Sequence, residues 1–183
     1  MNIREMTQVA LFAAIMGALG LIPPIFLSFT PVPITLQTLG ILLAGGILGA
    51  RLGAMSQIVF LLLVATGLPL LSGGRGGLGV FVSPSGGFLL AYPLAAFFIG
   101  YLLSRFKKLS FRNIFTTNLV VSIVVLYTFG IPVQAYVMNI DLLLAAKMSL
   151  VYLPGDTLKA ILASLIVLKL QNYPVFTRPV VVK

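Results

Sequence analysis

The sequence predicts an all-α integral membrane protein, a single bundle of six transmembrane helices joined by ordered extracellular connections. Hydrophobic residues make up 60% of the 183 residues, charged residues make up only 8%, and the mean hydropathy is +1.14. A water-soluble globule would need far more polar surface than this. The apolar residues also form several runs that approach the length of a membrane-spanning helix, which is about 20 residues. A soluble fold is therefore strongly disfavoured.

The first predicted span covers residues 7–22 and ends before two consecutive prolines. Small residues recur at every fourth position along it, at Ala10, Ala14 and Ala18. This spacing builds a flat ridge along one helix face, and such a ridge lets another helix approach closely in lipid. The alternative is that the ridge simply packs inside this bundle. The spacing alone does not choose between a partner helix and a neighbouring one.

Prolines interrupt the next connection, residues 23–35, so that it cannot be a regular helix. Non-helical backbone at membrane depth is tolerated only where protein or a water-filled cavity satisfies its polar groups. A lid is one role that fits this connection. The second and third spans cover residues 34–48 and 53–66, with a tight turn between them. Gly45, Gly49 and Gly53, again four apart, predict close backbone contact around that turn.

Residues 73–87 form a glycine-rich loop with seven glycines among 15 residues. We interpret it as a binding loop, because a connection between two helices needs only a few residues. Arg75 is its only charge, and it either lies in water or offers its guanidinium to an anionic group. Ser83 and Ser85 flank Pro84, where they either shape the turn or donate to a ligand. The G-x-x-x-x-G-K-[ST] pattern is absent, which disfavours nucleotide binding.

The fourth and fifth predicted spans cover residues 88–103 and 114–131, and a less hydrophobic, interfacial passage occupies residues 132–152. The last span covers residues 153–170, and Pro154 suits its first turn. Basic residues cluster at the ends of these segments.

Charge also predicts the orientation of the six spans. With a cytoplasmic amino terminus, nine of the 12 basic residues fall inside: Arg4, Arg51, Arg105, Lys107, Lys108, Arg112, Lys169, Arg178 and Lys183. Cytoplasmic loops carry an excess of Lys and Arg. We therefore expect a multi-pass protein of the cell membrane with both termini in the cytoplasm. The proline-rich connection, the glycine-rich loop and the start of the last helix then share the extracellular face.

Asp156 and Lys159 stand three positions apart, so that both side chains lie on one face of the last helix. One explanation is structural, because an aspartate complements the dipole at a helix start and pairs with a lysine one turn later. In a membrane, however, ionisable groups are costly and usually mark a ligand or ion pathway, and we favour that interpretation. The nearby aromatic residues either anchor the bundle or line a pocket for an apolar ligand: Phe81, Phe88, Tyr92 and Tyr152.

Composition excludes several classes of function. The chain has no Cys and no His, and its only acidic residues are Glu5, Asp141 and Asp156. Thiolate nucleophiles, zinc sites, imidazole acid–base chemistry and a catalytic carboxylate pair are therefore not expected. We expect no enzyme, metal or cofactor. The net charge is +9, and the basic residues cluster at the ends of the spans. This distribution is better explained by membrane topology than by binding to nucleic acid.

Three segments together resemble the BioY family, the biotin-specific substrate-binding subunits (S components) of energy-coupling factor (ECF) vitamin transporters. They are residues 31–40 (PVPITLQTLG), residues 73–87 and residues 153–160 (LPGDTLKA). The resemblance runs from the first helix to about residue 171. It implies one membrane domain over residues 1–171 and a separate tail, residues 172–183.

The resemblance implies that the bundle captures extracellular biotin as the S component of an ECF-type ABC importer. The small residues Ala10, Ala14 and Ala18 match the family's docking pattern for a transmembrane coupling subunit, which connects to two ATPase subunits. Asp156 and Lys159 match the family's functional pair.

We hypothesise that Asp156 accepts from the ureido N–H groups of biotin, and that Lys159 or Arg75 meets an acceptor or the carboxylate. The opposite assignment of the two ends of biotin stays open. Further candidate ligand-binding residues are Gly77, Gly79, Phe81, Ser83, Ser85 and Tyr152. Valine at either glycine is expected to weaken binding.

The alternative function is a stand-alone secondary carrier or facilitator for a small carboxylate-bearing vitamin. Against it, the sequence has no visible inverted repeat and almost no membrane carboxylates for proton coupling.

Overall fold

The structure is a computed structural model of the chain, and it describes residues 1–170. The predicted tail, residues 172–183, lies outside the described residues. Helices dominate the described part, with one two-stranded sheet. The elements are α1 (Ile3–Gly20), β1 (Ile25–Leu27), β2 (Thr30–Ile34), α2 (Gln37–Ala65), a 3₁₀ turn (Leu78–Val82), α3 (Gly86–Leu90), α4 (Tyr92–Ser104), α5 (Phe111–Val121), a π turn (Ser122–Leu126), α6 (Tyr127–Met138), α7 (Leu142–Ser149), a second 3₁₀ turn (Leu150–Tyr152) and α8 (Leu153–Leu170).

In residues 1–170, four continuous helical stretches are long and apolar enough to cross a membrane: Ile3–Gly20, Gln37–Ala65, Phe111–Met138 and Leu142–Leu170. Tyr92–Ser104 is a shorter apolar helix. Many large apolar side chains on these helices are exposed, among them Leu62 at 61% and Val120 at 56%. Apolar side chains that face outward around a buried apolar core are expected of a bundle surrounded by lipid.

Helix α1 begins earlier than the sequence predicts. Asn2 and Glu5 form a reciprocal capping box, in which the Asn2 side chain accepts from the Glu5 N–H and the Glu5 carboxylate accepts from the Asn2 N–H. The helix therefore starts at Ile3, four residues before the apolar run that begins at about residue 7, because a polar cap extends it. One face of α1 is buried, including Val9 and Met16.

The proline-rich connection is non-helical, as predicted, and forms an antiparallel hairpin of β1 and β2. The hairpin is hydrogen-bonded to the second 3₁₀ turn, directly before α8. The Tyr152 hydroxyl donates to the carbonyl oxygen of Val32 over 3.2 Å and lies 2.5 Å from the Thr30 hydroxyl. Because a phenol has one proton to donate, the Thr30 hydroxyl is the donor in the second bond.

A single residue divides α2 where the sequence predicts a four-residue turn. Gly49 has φ 82° and ψ −174°, and helix resumes directly after it. The predicted close backbone contact is confirmed. A Cβ atom at Gly45 would lie 2.6 Å from the carbonyl oxygen of Ala96, and one at Gly100 would overlap the backbone of Ala50. Helices α2 and α4 therefore touch through their backbones.

Two further boundaries differ from the prediction. The fourth span is broken at Ala91 into the short α3 and the longer α4. The fifth predicted span ends at residue 131, but the helix continues through Pro132 to Met138. A π turn precedes this proline, and in a bundle such local adjustments accommodate the missing N–H. The supposed interfacial passage therefore contains the end of α6 and all of α7.

The core lies where α2 packs against α1, α4 and α8. Fully buried side chains at its centre include Met16, Ile41, Phe60, Ile99 and Ala163. This packing holds the start of α2 beside the start of α8, with the hairpin and the glycine-rich loop at the same end of the bundle.

Candidate functional site

A partly open cavity lies at that end of the bundle. The cavity and the open solvent at its mouth together occupy about 630 Å³. Segments far apart in sequence build its wall: Val32, Pro33, Ile34, Thr35, Gln37, Thr38, Leu71, Arg75, Ser85, Phe88, Leu89, Tyr92, Leu126, Tyr127, Tyr152, Asp156 and Lys159.

Asp156 and Lys159 form a buried ion pair in the wall of this cavity. The Lys159 Nζ atom lies 2.9 Å from Asp156 Oδ1, and each side chain is only 7% exposed. The Tyr127 hydroxyl donates to Asp156 Oδ2 over 2.9 Å, so that both carboxylate oxygens have a partner. Lys159 also donates to the Thr38 hydroxyl over 3.5 Å. The pair is thus held in one geometry by residues of three helices.

Arg75 occupies another part of the wall and is half-buried. Its backbone pairs with Leu71 in an isolated antiparallel bridge. Its guanidinium donates from Nε to the carbonyl oxygen of Ser72 over 3.3 Å and from Nη1 to the Ser85 hydroxyl over 3.4 Å. Among residues 1–170, the ion pair of Asp156 is with Lys159, and no ion pair involves Arg75. Arg75 therefore has no carboxylate partner in the described part of the chain.

The formal charge of the cavity follows from these contacts. Two cations and one carboxylate line it, which leaves one positive charge unbalanced. Asp156 neutralises Lys159 at short distance, so that the unbalanced charge belongs to Arg75. A guanidinium with long, weak internal bonds has donors left for a ligand oxygen, and its fork suits a carboxylate. The arrangement favours an anionic ligand.

Aromatic rings separate the polar groups of the cavity. Phe88 meets the rings of Tyr127 and Tyr152 edge to face, with centroids 6.2 Å and 6.3 Å away. Tyr92 and the apolar side chains of Leu71 and Leu126 extend this wall. A ligand with an apolar body and polar ends matches such a surface.

Five of the predicted ligand-binding residues line the cavity: Arg75, Ser85, Tyr152, Asp156 and Lys159. Phe88 and Tyr92, which the sequence offers as wall residues, line it as well.

The structure places Gly77, Gly79, Phe81 and Ser83 outside the cavity lining. The 3₁₀ turn at Leu78–Val82 directs part of the glycine-rich loop away from the cavity, and its residues Leu78 and Val82 are exposed. Ser83 reaches the cavity only indirectly, because its hydroxyl lies 3.0 Å from that of Ser85. Gly77 shapes the loop, since it has φ 84° and its N–H donates to the Val64 carbonyl over 2.8 Å.

Sequence reasoning missed Gln37, Thr38 and Tyr127. The first two lie inside residues 31–40, so that the polar pair within an apolar run was an available signal. Tyr127 had no such signal, because it lies in the middle of an apolar span and 29 positions from its partner Asp156.

The small residues of α1 lie on the side away from this bundle. Ala10, Ala14 and Ala18 are exposed, whereas Ala13 and Gly17 on the adjoining stripe are buried. The ridge therefore does not pack inside the described bundle, and it is open to another helix.

Comparisons with known proteins agree with this architecture. The family model described as the BioY family matches residues 1–174. A protein of Bacillus subtilis (strain 168) named "Probable biotin transporter BioY" is 54% identical over 168 residues, covering 92% of this chain and 90% of that protein. A Rhizobium etli protein named "Biotin transporter BioY" is 47% identical over 172 residues, covering 91% of this chain and 92% of that protein.

A solved structure is also similar to this chain. It is a crystal structure of the S-component for biotin from an ECF-type ABC transporter, and it matches with a TM-score of 0.91 at 36% sequence identity. The match covers 95% of this chain and 94% of that one. The predicted all-α membrane fold is confirmed.

Proposed function

This chain belongs to the BioY family, and we propose that it captures extracellular biotin as the substrate-specific S component of an ECF-type ABC importer. The observation that carries this proposal is the cavity. It combines a buried Asp156–Lys159 pair, an aromatic wall and an arginine without a carboxylate partner.

Biotin has the chemistry that this cavity can satisfy. Its ureido ring has two N–H donors and a carbonyl, its thioether ring is apolar, and its chain ends in a carboxylate. A carboxylate has about four lone-pair sites, so Asp156 keeps acceptor capacity for the ureido N–H groups beside its bonds to Lys159 and Tyr127. Phe88 and Tyr152 enclose the thioether ring. Ser85, which is buried beside the Arg75 guanidinium, completes the polar end.

We assign the ligand carboxylate to Arg75 rather than to Lys159. Lys159 is already neutralised by Asp156 at 2.9 Å, whereas Arg75 is not neutralised within residues 1–170. A second anion beside Asp156 would also be repelled by its carboxylate.

The partners and the orientation belong to the same proposal. The exposed ridge of Ala10, Ala14 and Ala18 docks on a transmembrane coupling subunit, which connects to two ATPase subunits. Residues 1–171 form one domain that crosses the cell membrane six times, with both termini in the cytoplasm and the cavity facing outward. The chain acts as a binding subunit and not as an enzyme, in line with relatives that are named transporters.

Transport measurements test this function. Labelled biotin is expected to bind the purified chain, and its uptake into liposomes is expected to require the coupling subunit, the ATPase subunits and ATP. Failure to bind biotin overturns the proposal. Uptake by the chain alone would instead establish the stand-alone carrier.

A variant of the exposed ridge tests docking in the same liposomes. Ala14→Phe replaces an exposed small residue and is expected to abolish ATP-dependent uptake without changing biotin binding, because a flat ridge is needed for close helix contact. Val120→Phe, at another exposed position, is the matched control and should leave uptake intact. Equal uptake by both variants would place docking elsewhere.

A further inference from the structure

Gln37 ties together parts of the chain that meet beside the cavity. It is only 2% exposed and lines the cavity wall at the start of α2. Its Nε2 atom donates to the carbonyl oxygen of Met16 over 3.1 Å and to that of Leu70 over 3.0 Å. Its Oε1 atom accepts from the Ser72 N–H at 3.4 Å. One side chain therefore joins α2 to helix α1 and to the segment that leads into the glycine-rich loop.

These bonds restrict what Gln37 can offer a ligand. A primary amide has two N–H donors, and both are engaged by backbone carbonyls of Met16 and Leu70. A direct hydrogen bond from Gln37 to a ligand would require one of these bonds to break. The arrangement instead suits a residue that holds the backbone in place.

The backbone that Gln37 holds is the one that carries Arg75. Leu71 and Arg75 exchange two backbone hydrogen bonds, of 3.0 Å and 3.3 Å, which close a tight turn directly after Leu70. The Arg75 guanidinium also donates to the carbonyl of Ser72, the residue whose N–H bonds Gln37. The position of the guanidinium thus depends on the position of this turn.

Helix α1 is the element to which Gln37 ties the Leu70–Arg75 turn. A methyl group at Gly20 would overlap the carbonyl oxygen of Leu70, so that the end of α1 and the turn lie in direct backbone contact. Met16 lies one turn earlier and is fully buried.

We propose that Gln37 is a positioning residue: it ties the Leu70–Arg75 turn to α1 and so aims the Arg75 guanidinium at the carboxylate of the ligand. This inference rests on the proposed function, in which Arg75 meets that carboxylate. Gln37 then contributes to the recognition of charged biotin through Arg75, without touching the carboxylate itself.

Two ligands separate this role from a merely structural one. Gln37→Leu removes all three bonds at similar volume, and it is expected to weaken the binding of biotin about tenfold. Biotinamide has a neutral carboxamide in place of the carboxylate, and its affinity should stay unchanged. Gln37→Met is a second variant with a more adaptable side chain. The affinities are measured by isothermal titration calorimetry of the purified protein.

Gln57→Leu provides a matched control. Gln57 is a second glutamine of α2, is fully buried, and does not line the cavity. Its replacement should change neither affinity. Weaker binding of both ligands to the Gln37 variants would indicate general damage to the cavity and overturn the proposal.

A double-mutant cycle with Arg75 completes the test. In an Arg75→Gln background, Gln37→Leu should have no further effect on biotin, because its influence passes through the missing guanidinium. Additive losses overturn the positioning role. If Arg75→Gln weakens biotin binding but Gln37→Leu does not, the inference about Gln37 fails and the proposed function stands. If Arg75→Gln has no effect, the carboxylate assignment and the role of Gln37 both fail.

Discussion

The two charged ends of the cavity are built in different ways. Asp156 and Lys159 are one turn apart on α8, are joined at 2.9 Å, and are 7% exposed. Arg75 lies in a turn between Gly74 and Gly76, is half-buried, and makes side-chain bonds of 3.3 Å and 3.4 Å. The helix supplies the geometry of the first end directly. The geometry of the second end depends on residues elsewhere in the fold. A substitution on α8 itself should therefore damage the first end most, whereas a substitution far from Arg75 can damage the second end.

Breaking the Asp156–Lys159 ion pair of α8 should have the largest effect on stability and on biotin binding. Asp156→Ala leaves the buried Lys159 ammonium unpaired, and removing one partner of a buried pair costs about 3–5 kcal/mol. We expect a lower unfolding temperature in detergent and loss of measurable biotin binding.

A double substitution separates stability from binding at this end. Asp156→Leu combined with Lys159→Met removes both charges, and apolar replacements of a buried pair are often neutral or stabilising. The unfolding temperature should recover while biotin binding stays absent. If binding returns with stability, the pair is a structural feature and not part of the site.

Arg75→Gln should have the next largest effect, and only on the charged ligand. A hydrogen bond to a charged group is worth about 1.5–3 kcal/mol, so we expect biotin to bind roughly 10- to 100-fold more weakly. Stability should change little, because the guanidinium makes only long bonds within the chain. Lys147→Gln, on α7 and outside the cavity lining, is the control with the same loss of charge. An equal loss with biotinamide would contradict the carboxylate assignment.

Tyr127→Phe tests how far the geometry of the Asp156–Lys159 ion pair depends on the neighbouring helix α6. The substitution keeps the ring against Phe88 and removes the bond to Asp156 Oδ2. Because Lys159 still holds the other oxygen, we expect a loss of about 1 kcal/mol, roughly fivefold in affinity, measured by calorimetry. Tyr136→Phe, at a position that is 88% exposed, should change nothing. A hundredfold loss would mean that α8 alone does not fix the pair.

The glycines of the loop should have the smallest effect on binding, and they should differ from each other. Gly77 has φ 84°, whereas Gly79 does not lie in the left-handed region and would place a Cβ in open space. Gly77 combines φ 84° with ψ 170°, a conformation nearly confined to glycine, so Gly77→Ala should cost about 1–3 kcal/mol of stability through backbone strain and weaken biotin binding only about threefold.

Gly79→Ala is the matched control in the same loop, and it should be silent in thermal unfolding and in biotin titration. If the two substitutions reduce biotin affinity equally, Gly79 contacts the ligand. No difference of either variant from the unsubstituted protein would show that the backbone at Gly77 tolerates alanine.

Local patterns predicted the parts of the site that one helix carries. The spacing of Asp156 and Lys159 put them on one face, and the helix that carries them begins at Leu153, as the sequence predicts. The four-residue spacing of the alanines on α1 likewise identified a ridge, although burial was needed to show that it faces outward.

Patterns were weaker where several elements meet. The fifth span was predicted to end at residue 131, but α6 continues through Pro132. The sequence shows the proline that disfavours a helix, but it does not show how the surrounding bundle compensates for the missing N–H. The glycine-rich loop was predicted to line the cavity broadly, yet of its residues only Arg75 and Ser85 do so. The conformation of a loop depends on its tertiary contacts. A loop has no regular side-chain periodicity, so its sequence does not show which residues face the cavity.

Local sequence was enough to predict the membrane character, the helical nature of the apolar runs and the charged pair of α8. These follow from hydropathy and from the 3.6-residue period of a helix, and both properties act over short stretches of chain. The hydrogen bonds from Tyr127 to Asp156 and from Gln37 to the Leu70 carbonyl arise only in the folded protein. Those bonds join residues 29 and 33 positions apart. Their geometry exists only after the helices have packed, because no local rule fixes the distance between two separate helices or between a helix and a loop.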